Sequence, residues 1–330
     1  MTMEQRNSII SKKEFSLKRF FLQWEWMLVL IFIIINIINA NLSPYYLDGK
    51  QLISATSTFL DKAFIVLPMT FVILLGDIDI SVASTVALSS VVMAVTYNLG
   101  VPMWAAMVIC LAVGSVCGFI NGFLITRFKE IAAMIVTLST SMIYRGIAYI
   151  ILEDQASGKF PDWYSFLGWG YVGGIPFMLI LFAFLAVIFG LLLHKTTFGR
   201  RIYAIGNNPV ASRFSGVKVD KIKVIIFTLT GFMSGVTALF LTSRMGSTRP
   251  NVAVGYELDV ITMVVLGGVS TAGGKGRIGG TILAIFIIGF LRYGLGLINI
   301  PSQALLIIIG LLLIGAVLIP QLRQLSRRKK

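Results

Sequence analysis

Residues 102–126 read PMWAAMVICLAVGSVCGFINGFLIT, 25 consecutive positions without an Asp, Glu, Lys or Arg. A membrane-spanning helix needs about 20 mainly apolar residues, because in hydrocarbon the backbone must satisfy its hydrogen bonds within itself. This stretch meets that requirement, and similar runs recur near residues 25–42, 82–100, 176–194, 223–243, 278–298 and 302–320. Three more segments, near 58–77, 131–152 and 257–273, are shorter or carry charge. Together they predict an all-α polytopic integral membrane protein with about ten transmembrane helices.

Composition agrees. Of 330 residues, 57% are hydrophobic and 13% charged, and the mean hydropathy is +0.89, whereas soluble domains carry about 25% charged residues. Apolar runs along the whole length leave no room for a separate soluble catalytic domain, so we expect a single transmembrane domain over 25–320 between basic tails at 1–24 and 321–330. The first 24 residues are polar and basic without a small-residue cleavage pattern, which reads as a retained cytoplasmic tail rather than a signal peptide. Cys110 and Cys117 lie seven apart in one apolar run and read as buried packing residues, not a disulfide.

A net charge of +14 fits either nucleic acid binding or the retention of Lys and Arg on cytoplasmic loops. Their location decides. With the N-terminus inside, 21 of the 28 Lys and Arg fall on the cytoplasmic side. Lys50, Lys62, Lys159, Arg244 and Arg249 fall outside, and Arg145 and Arg292 lie within spans. The asymmetry predicts that both termini are cytoplasmic, and no folded basic domain remains to bind nucleic acid.

Two loops are long enough to do more than connect. Residues 153–175 contain Glu153, Asp154, Trp163, Tyr164 and Trp169 on the predicted outer side, which fits an interfacial aromatic belt or a docking surface. On the inner side, the loop 195–223 contains Asn207, Asn208 and Pro209, a helix start, then a short helical run through Phe214 and a glycine stop at Gly216. Such a helix either lies in the headgroups or couples to a partner.

Three segments carry a family resemblance: GRRIYAIGNNPVASRFSGVKVDKIK (199–223), RMGSTRPNVAVGYELDVITMVVLGGVSTAGGKGRIGGT (244–281) and GDIDIS (76–81). They resemble the signature stretches of permease subunits of the ribose/rhamnose/autoinducer-2 class of bacterial ABC importers, with rhamnose-type permeases the nearest likeness. The similarity covers most of the chain from about residue 60 to 320. It implies a membrane dimer built from a second copy or a homologous permease, an ATPase at the cytoplasmic face that uses ATP and Mg, and an extracytoplasmic sugar-binding protein. The chain itself would bind no cofactor and sit, surrounded by lipid, in the bacterial cytoplasmic membrane. The implied ATPase-coupling residues are Gly199, Arg200, Ala204, Gly206, Asn208, Ala211, Ser212, Gly216 and Val217. Asp77 and Ala83 depart from the glycines usual in the family's GGIDLS-like stretch.

Ionisable groups within spans cost about 2.5–3.5 kcal/mol on insertion scales and usually face a polar interior. Asp77, Asp79, Arg145, Asp259 and Arg292 are therefore translocation-pathway candidates, although each has the simpler reading of a group paired to fix helix contacts. The runs TFVILLGDIDIS from Thr70 and TMVVLGGVS from Thr262 resemble each other, and such glycine-interrupted spans often mark a transport path. The same glycines also suit close helix contact.

Catalytic signatures are absent from the sequence. GGVSTAGGKGR is no phosphate-binding loop, because Val269 stands where the register needs glycine and Gly276 where it needs a hydroxyl. His194 is alone at a helix end, there is no metal-ligand cluster, and energy must come from a partner. The alternatives are an ion-coupled secondary transporter, with Asp259 as its ion site, and an integral membrane enzyme acting on lipid.

Overall fold

A computed structural model describes residues 24–301 together with 304, 307–308, 310–312 and 314–315. Residues 1–23, the C-terminal tail 321–330 and much of the segment expected over 302–320 lie outside the described residues; those described between 304 and 315 are helical.

The other nine expected segments are all helical. They are α1 (Trp24–Leu42), α3 (Leu60–Leu74), α4 (Val82–Asn98), α5 (Met103–Arg127), α6 (Ala133–Leu152), α7 (Phe177–Lys195), α10 (Val219–Met245), α11 (Tyr256–Leu266) and α12 (Ile278–Leu297). Between them lie α2 (Gly49–Ala55), α8 (Thr197–Asn207) and α9 (Pro209–Phe214), and a single helical turn at Phe166–Trp169. Among the described residues, six helices are long and apolar enough to cross a membrane: α1, α5, α6, α7, α10 and α12. The count rises to seven if Gly49–Thr58 and Leu60–Leu74, bent by 61° at their junction, form one broken span.

Helices α3, α4 and α11 are shorter than a lipid-facing span because they do not face lipid. All 15 residues of α3 are buried, as are Val260 and Thr262–Leu266 of α11. By contrast α1 buries only Leu28 and Asn39 and exposes Ile33, Ile34, Ile37 and Ile38, as a peripheral helix in hydrocarbon should. Protein surrounds the short helices and supplies the polar partners that lipid cannot.

A glycine face holds the centre together. Gly114, Gly118 and Gly122 recur every four residues on α5, so they share one side of that helix. Opposite them stand Gly231 and Gly235 of α10. A Cβ at Gly114 would overlap the Gly231 carbonyl oxygen, and one at Gly118 would overlap that of Phe227. The two backbones therefore touch, an approach that small residues alone permit. Along α10, Thr230 and Ser234 return their hydroxyls to the carbonyls of Ile226 and Thr230, so neither needs water.

The long loop after α6 is folded rather than draped. Buried Tyr164 donates to the Leu239 carbonyl (2.8 Å), Ser243 donates to the Tyr164 carbonyl (2.5 Å), and Trp169 Nε1 donates to the Arg244 carbonyl (3.0 Å). Strand β1 (Ser157–Gly158) pairs antiparallel with β4 (Ser247–Thr248), while β2 (Tyr171–Val172) and β3 (Ile175–Pro176) form a hairpin across Gly173 and Gly174. Of the aromatic residues singled out there, Tyr164 is an anchor, whereas Trp163 and Trp169 leave about half their surface exposed.

Replacing Gly118 or Gly231 with Leu should force α5 and α10 apart at a cost of about 3 kcal/mol, the upper range for overfilling a packed site. Thermal unfolding in detergent should show the loss. Gly146→Leu, where a Cβ meets nothing within 4 Å, should leave stability unchanged or raised.

Candidate functional site

The loop 195–223 folds as a helical pair. Thr196 caps α8, accepting from Gly199 N (3.3 Å), and a Cβ at Gly199 would overlap the Leu193 carbonyl oxygen, so glycine makes the sharp turn from α7. Helix α8 is amphipathic: Ile202 and Ile205 are fully buried, while Arg200, Arg201 and Ala204 are exposed. Asn208 then caps α9, its side chain accepting from Ala211 N at 2.9 Å, with Pro209 at the first helical position. Helix α9 stops where expected: Gly216 has φ +81°, and Val217 N donates back to the Ser212 carbonyl (3.0 Å). Ser212 is buried, but Val210 and Phe214 are 57% and 89% exposed, so α9 turns its apolar side chains away from the protein.

Gly206 ties this pair to the interior. A Cβ there would overlap the carbonyl oxygen of Leu74, the last residue of α3, and lie 2.5 Å from Gly274 N. Gly274 N itself donates to that Leu74 carbonyl (2.8 Å), and a Cβ on Gly273 would lie 2.8 Å from Gly206 O and 3.0 Å from Gly76 N. Tyr203 OH donates to the Gly276 carbonyl (2.8 Å), and partial burial raises the pKa of its phenol above the ordinary value. Three glycine-bearing segments thus meet backbone to backbone: the end of α3, the end of α8, and the turn that follows α11.

The two matching runs are alike in three dimensions. Thr70 and Thr262 each return the hydroxyl to a carbonyl four residues back, at 2.8 and 2.6 Å. Each helix ends four residues after that threonine, at Leu74 and Leu266, and each is followed by a left-handed glycine, Gly76 (φ +82°) and Gly268 (φ +87°). Helices α3 and α11 pack directly on one another. Trp24 Nε1 donates to the freed Leu266 carbonyl (2.9 Å), so neither broken end is left bare.

The five charged pathway candidates occupy four settings. Asp77 lies just past α3 and pairs with Lys223 of α10 (2.6 Å), which provides a partner for its departure from glycine. Asp79 is buried and accepts from Ser81 N (2.9 Å) and Ser81 Oγ (2.6 Å); Asn121 donates to the same Ser81 Oγ (2.7 Å). Arg145 of α6 donates to the carbonyls of Pro250 (2.6 Å) and Val252 (2.7 Å), holding the loop ahead of α11. Asp259 and Arg292 do come together, at 2.5 Å. Each candidate is therefore a partnered group.

Lys62 and Arg244, counted from the sequence on the outer side, lie within α3 and α10 and are bound in ion pairs. Lys62 meets Asp259 at 2.6 Å, and Arg244 meets Asp61 at 2.9 Å. Asp61 also accepts from Tyr256 OH (3.0 Å), and Lys62 sits 4.5 Å above the Tyr256 ring. Each lies near the end of an apolar run, and partners remote in sequence hold it in. The adjacent acid and base of Asp61–Lys62 at the head of such a run was the available signal.

Residues 51–317 match the family described as "Branched-chain amino acid transport system / permease component". A ribose import permease protein of Bacillus subtilis (strain 168) is 40% identical over 294 residues, covering 88% of this chain and 90% of its own. An L-arabinose transport system permease protein of Escherichia coli (strain K12) is 39% identical, covering 96% of each chain. An autoinducer 2 import system permease protein of Klebsiella pneumoniae subsp. pneumoniae is 35% identical over 90% of this chain and 91% of its own. No solved structure matches the chain. With most of its length matched by the family and by each of these relatives, the chain belongs to this family of transport-system permease components and is a multi-pass membrane protein, not an enzyme.

Proposed function

We propose that the chain is the membrane-spanning subunit of an ATP-driven importer for a simple sugar or sugar-like molecule in the bacterial cytoplasmic membrane. The relatives' names speak for sugars and autoinducer 2 over the branched-chain amino acids of the family's description. The likeness to rhamnose-type permeases rests on the quoted sequence segments alone. The observation that carries the reading is the α8–α9 pair: exposed apolar side chains at Val210 and Phe214 on one side, and the Gly206 backbone against the end of α3 on the other.

In this reading an ATPase, which binds ATP and Mg, receives α9 in a surface cleft. Closure of the ATPase shifts α9, and α8 moves with it. Because Gly206 meets Leu74 and Gly274 without an intervening side chain, the ends of α3 and α11 follow. A packed core passes on such displacement instead of absorbing it. Gly199, Arg200, Ala204, Asn208, Ala211, Ser212, Gly216 and Val217 build or present this element. A binding protein delivers the sugar from outside, and a second permease copy or a homologue completes the membrane dimer.

The topology we propose has ten membrane-embedded helices with both termini cytoplasmic, counting buried α3, α4 and α11 and the segment 302–320. With Lys62 and Arg244 withdrawn into buried pairs, Lys50, Lys159 and Arg249 are the basic loop residues left on the far side, which sharpens the charge asymmetry. An ion-coupled transporter is disfavoured by Asp259, whose two oxygens each face a cation of the protein itself.

Uptake into proteoliposomes tests the reading. The chain with its ATPase and binding protein should accumulate one of ribose, L-arabinose, rhamnose or autoinducer 2, and ATP and all three proteins should be required. Ion-driven uptake by this chain alone would overturn it, and leucine as the substrate taken up would overturn the sugar assignment.

Phe214→Asp should abolish sugar-stimulated ATP hydrolysis while leaving membrane insertion intact. Gly216→Val, forced into a left-handed conformation at a cost of about 1–2 kcal/mol, should reduce it by re-aiming α9. Undiminished stimulation in both would remove α9 from the coupling role. Lys223→Ala, which strands Asp77, should lower stability by about 3 kcal/mol, the low end for a pair that is not fully buried. The exchange Asp77→Lys with Lys223→Asp should recover most of that loss in a detergent melting experiment.

A further inference from the structure

The ion pairs at the heads of α3 and α11 join four helices at one level. Asp61 and Lys62 belong to α3, Arg244 to α10, Tyr256 and Asp259 to α11, and Arg292 to α12. Arg244 also donates to the carbonyls of Ser57 (3.2 Å) and Thr58 (2.6 Å), at the 61° bend between α2 and α3. Asp61, Lys62 and Asp259 are buried, whereas Arg292 sits at the edge, its side chain 26% exposed and its Nε without a partner among the described residues.

Burying five ionised groups costs several kcal/mol for each before pairing, and well-packed apolar side chains usually hold helices as firmly. A contact that must part and re-form is a different matter, because separated ions are favourable once water reaches them, whereas separated apolar surfaces are not. The position fits such a contact. Helix α3 is continuous from Asp61 to Leu74, with Pro68 within it, about 20 Å at 1.5 Å per residue, so one helix links these ion pairs to the Gly206 junction. Helix α11 carries Asp259 near its head and ends at the turn that meets the same junction.

We propose that Asp61, Lys62, Arg244, Tyr256, Asp259 and Arg292 form an ionic latch that closes the sugar's path at the end opposite the docking helices, and that the latch opens when ATP binding shifts α8. The inference rests on the importer reading. It assigns the five charges a switching role: paired in the closed state, and hydrated, with their polar groups turned to the sugar's hydroxyls, in the open one.

Hydrogen–deuterium exchange on the unaltered complex, with ATP and vanadate against nucleotide-free, tests the latch directly. Peptides covering 57–62 and 255–260 should exchange faster in the trapped state; equal or slower exchange overturns the latch. A variant adds a second readout. Arg292→Gln removes one of the two cations on Asp259 at the exposed edge of the network, and should raise ATP hydrolysis in the absence of binding protein and sugar by about tenfold, what one charged hydrogen bond is worth to the closed state. A purely structural pair would lower thermal stability and leave that basal rate alone, and an unchanged rate in an intact, monodisperse complex overturns the proposal. If the variant fails to assemble, the exchange comparison decides. Absence of ATP-dependent uptake by the unaltered complex would overturn the importer reading and the latch with it, whereas uptake with equal exchange would overturn the latch alone.

Discussion

A helix that stops among other helices leaves carbonyls that must find donors within the protein, and this constraint organises the structure. Helices α3 and α11 both stop short, at Leu74 and Leu266. Both must therefore be enclosed by other helices, and their freed carbonyls must find donors within the protein. Leu74 finds Gly274 N, and Leu266 finds the indole of Trp24. The short central helices, the peripheral position of α1 and the glycine-rich turn after α11 all follow from that requirement.

Glycine is the means by which backbone reaches backbone. Between α5 and α10 it brings two long helices into contact without intervening side chains. At Gly206, Gly273 and Gly274 the same absence of a Cβ makes a junction between the surface pair α8–α9 and the buried helices. The first contact is structural, since long faces hold it together. The second is small and lies where the ends of α3 and α8 meet the turn that follows α11.

The charges within the membrane domain obey one rule at two sites. Next to the Gly206 junction, Asp77 is neutralised by Lys223. At the opposite ends of the broken helices, two carboxylates meet three cations in a network that spans four helices. Low dielectric makes each pair costly to leave half made.

The amino-acid sequence by itself determined residence in the membrane, the location of nine helices, the Asn208 cap and Gly216 stop of α9, and the kinship of the runs at Thr70 and Thr262. These are local properties, set by hydropathy over some 20 residues or by turn chemistry over four or five. Only the tertiary structure decided which charges meet. Lys62 and Asp259 are 197 residues apart, and Arg244 and Asp61 are 183 apart. The Asp61–Lys62 doublet is legible at the head of an apolar run, but its partners on α10 and α11 are not, because no local pattern pairs residues so far apart in sequence. The glycines of α5 were visible as a spacing, but their partners on α10 were not, because contact between helices depends on how the whole bundle packs.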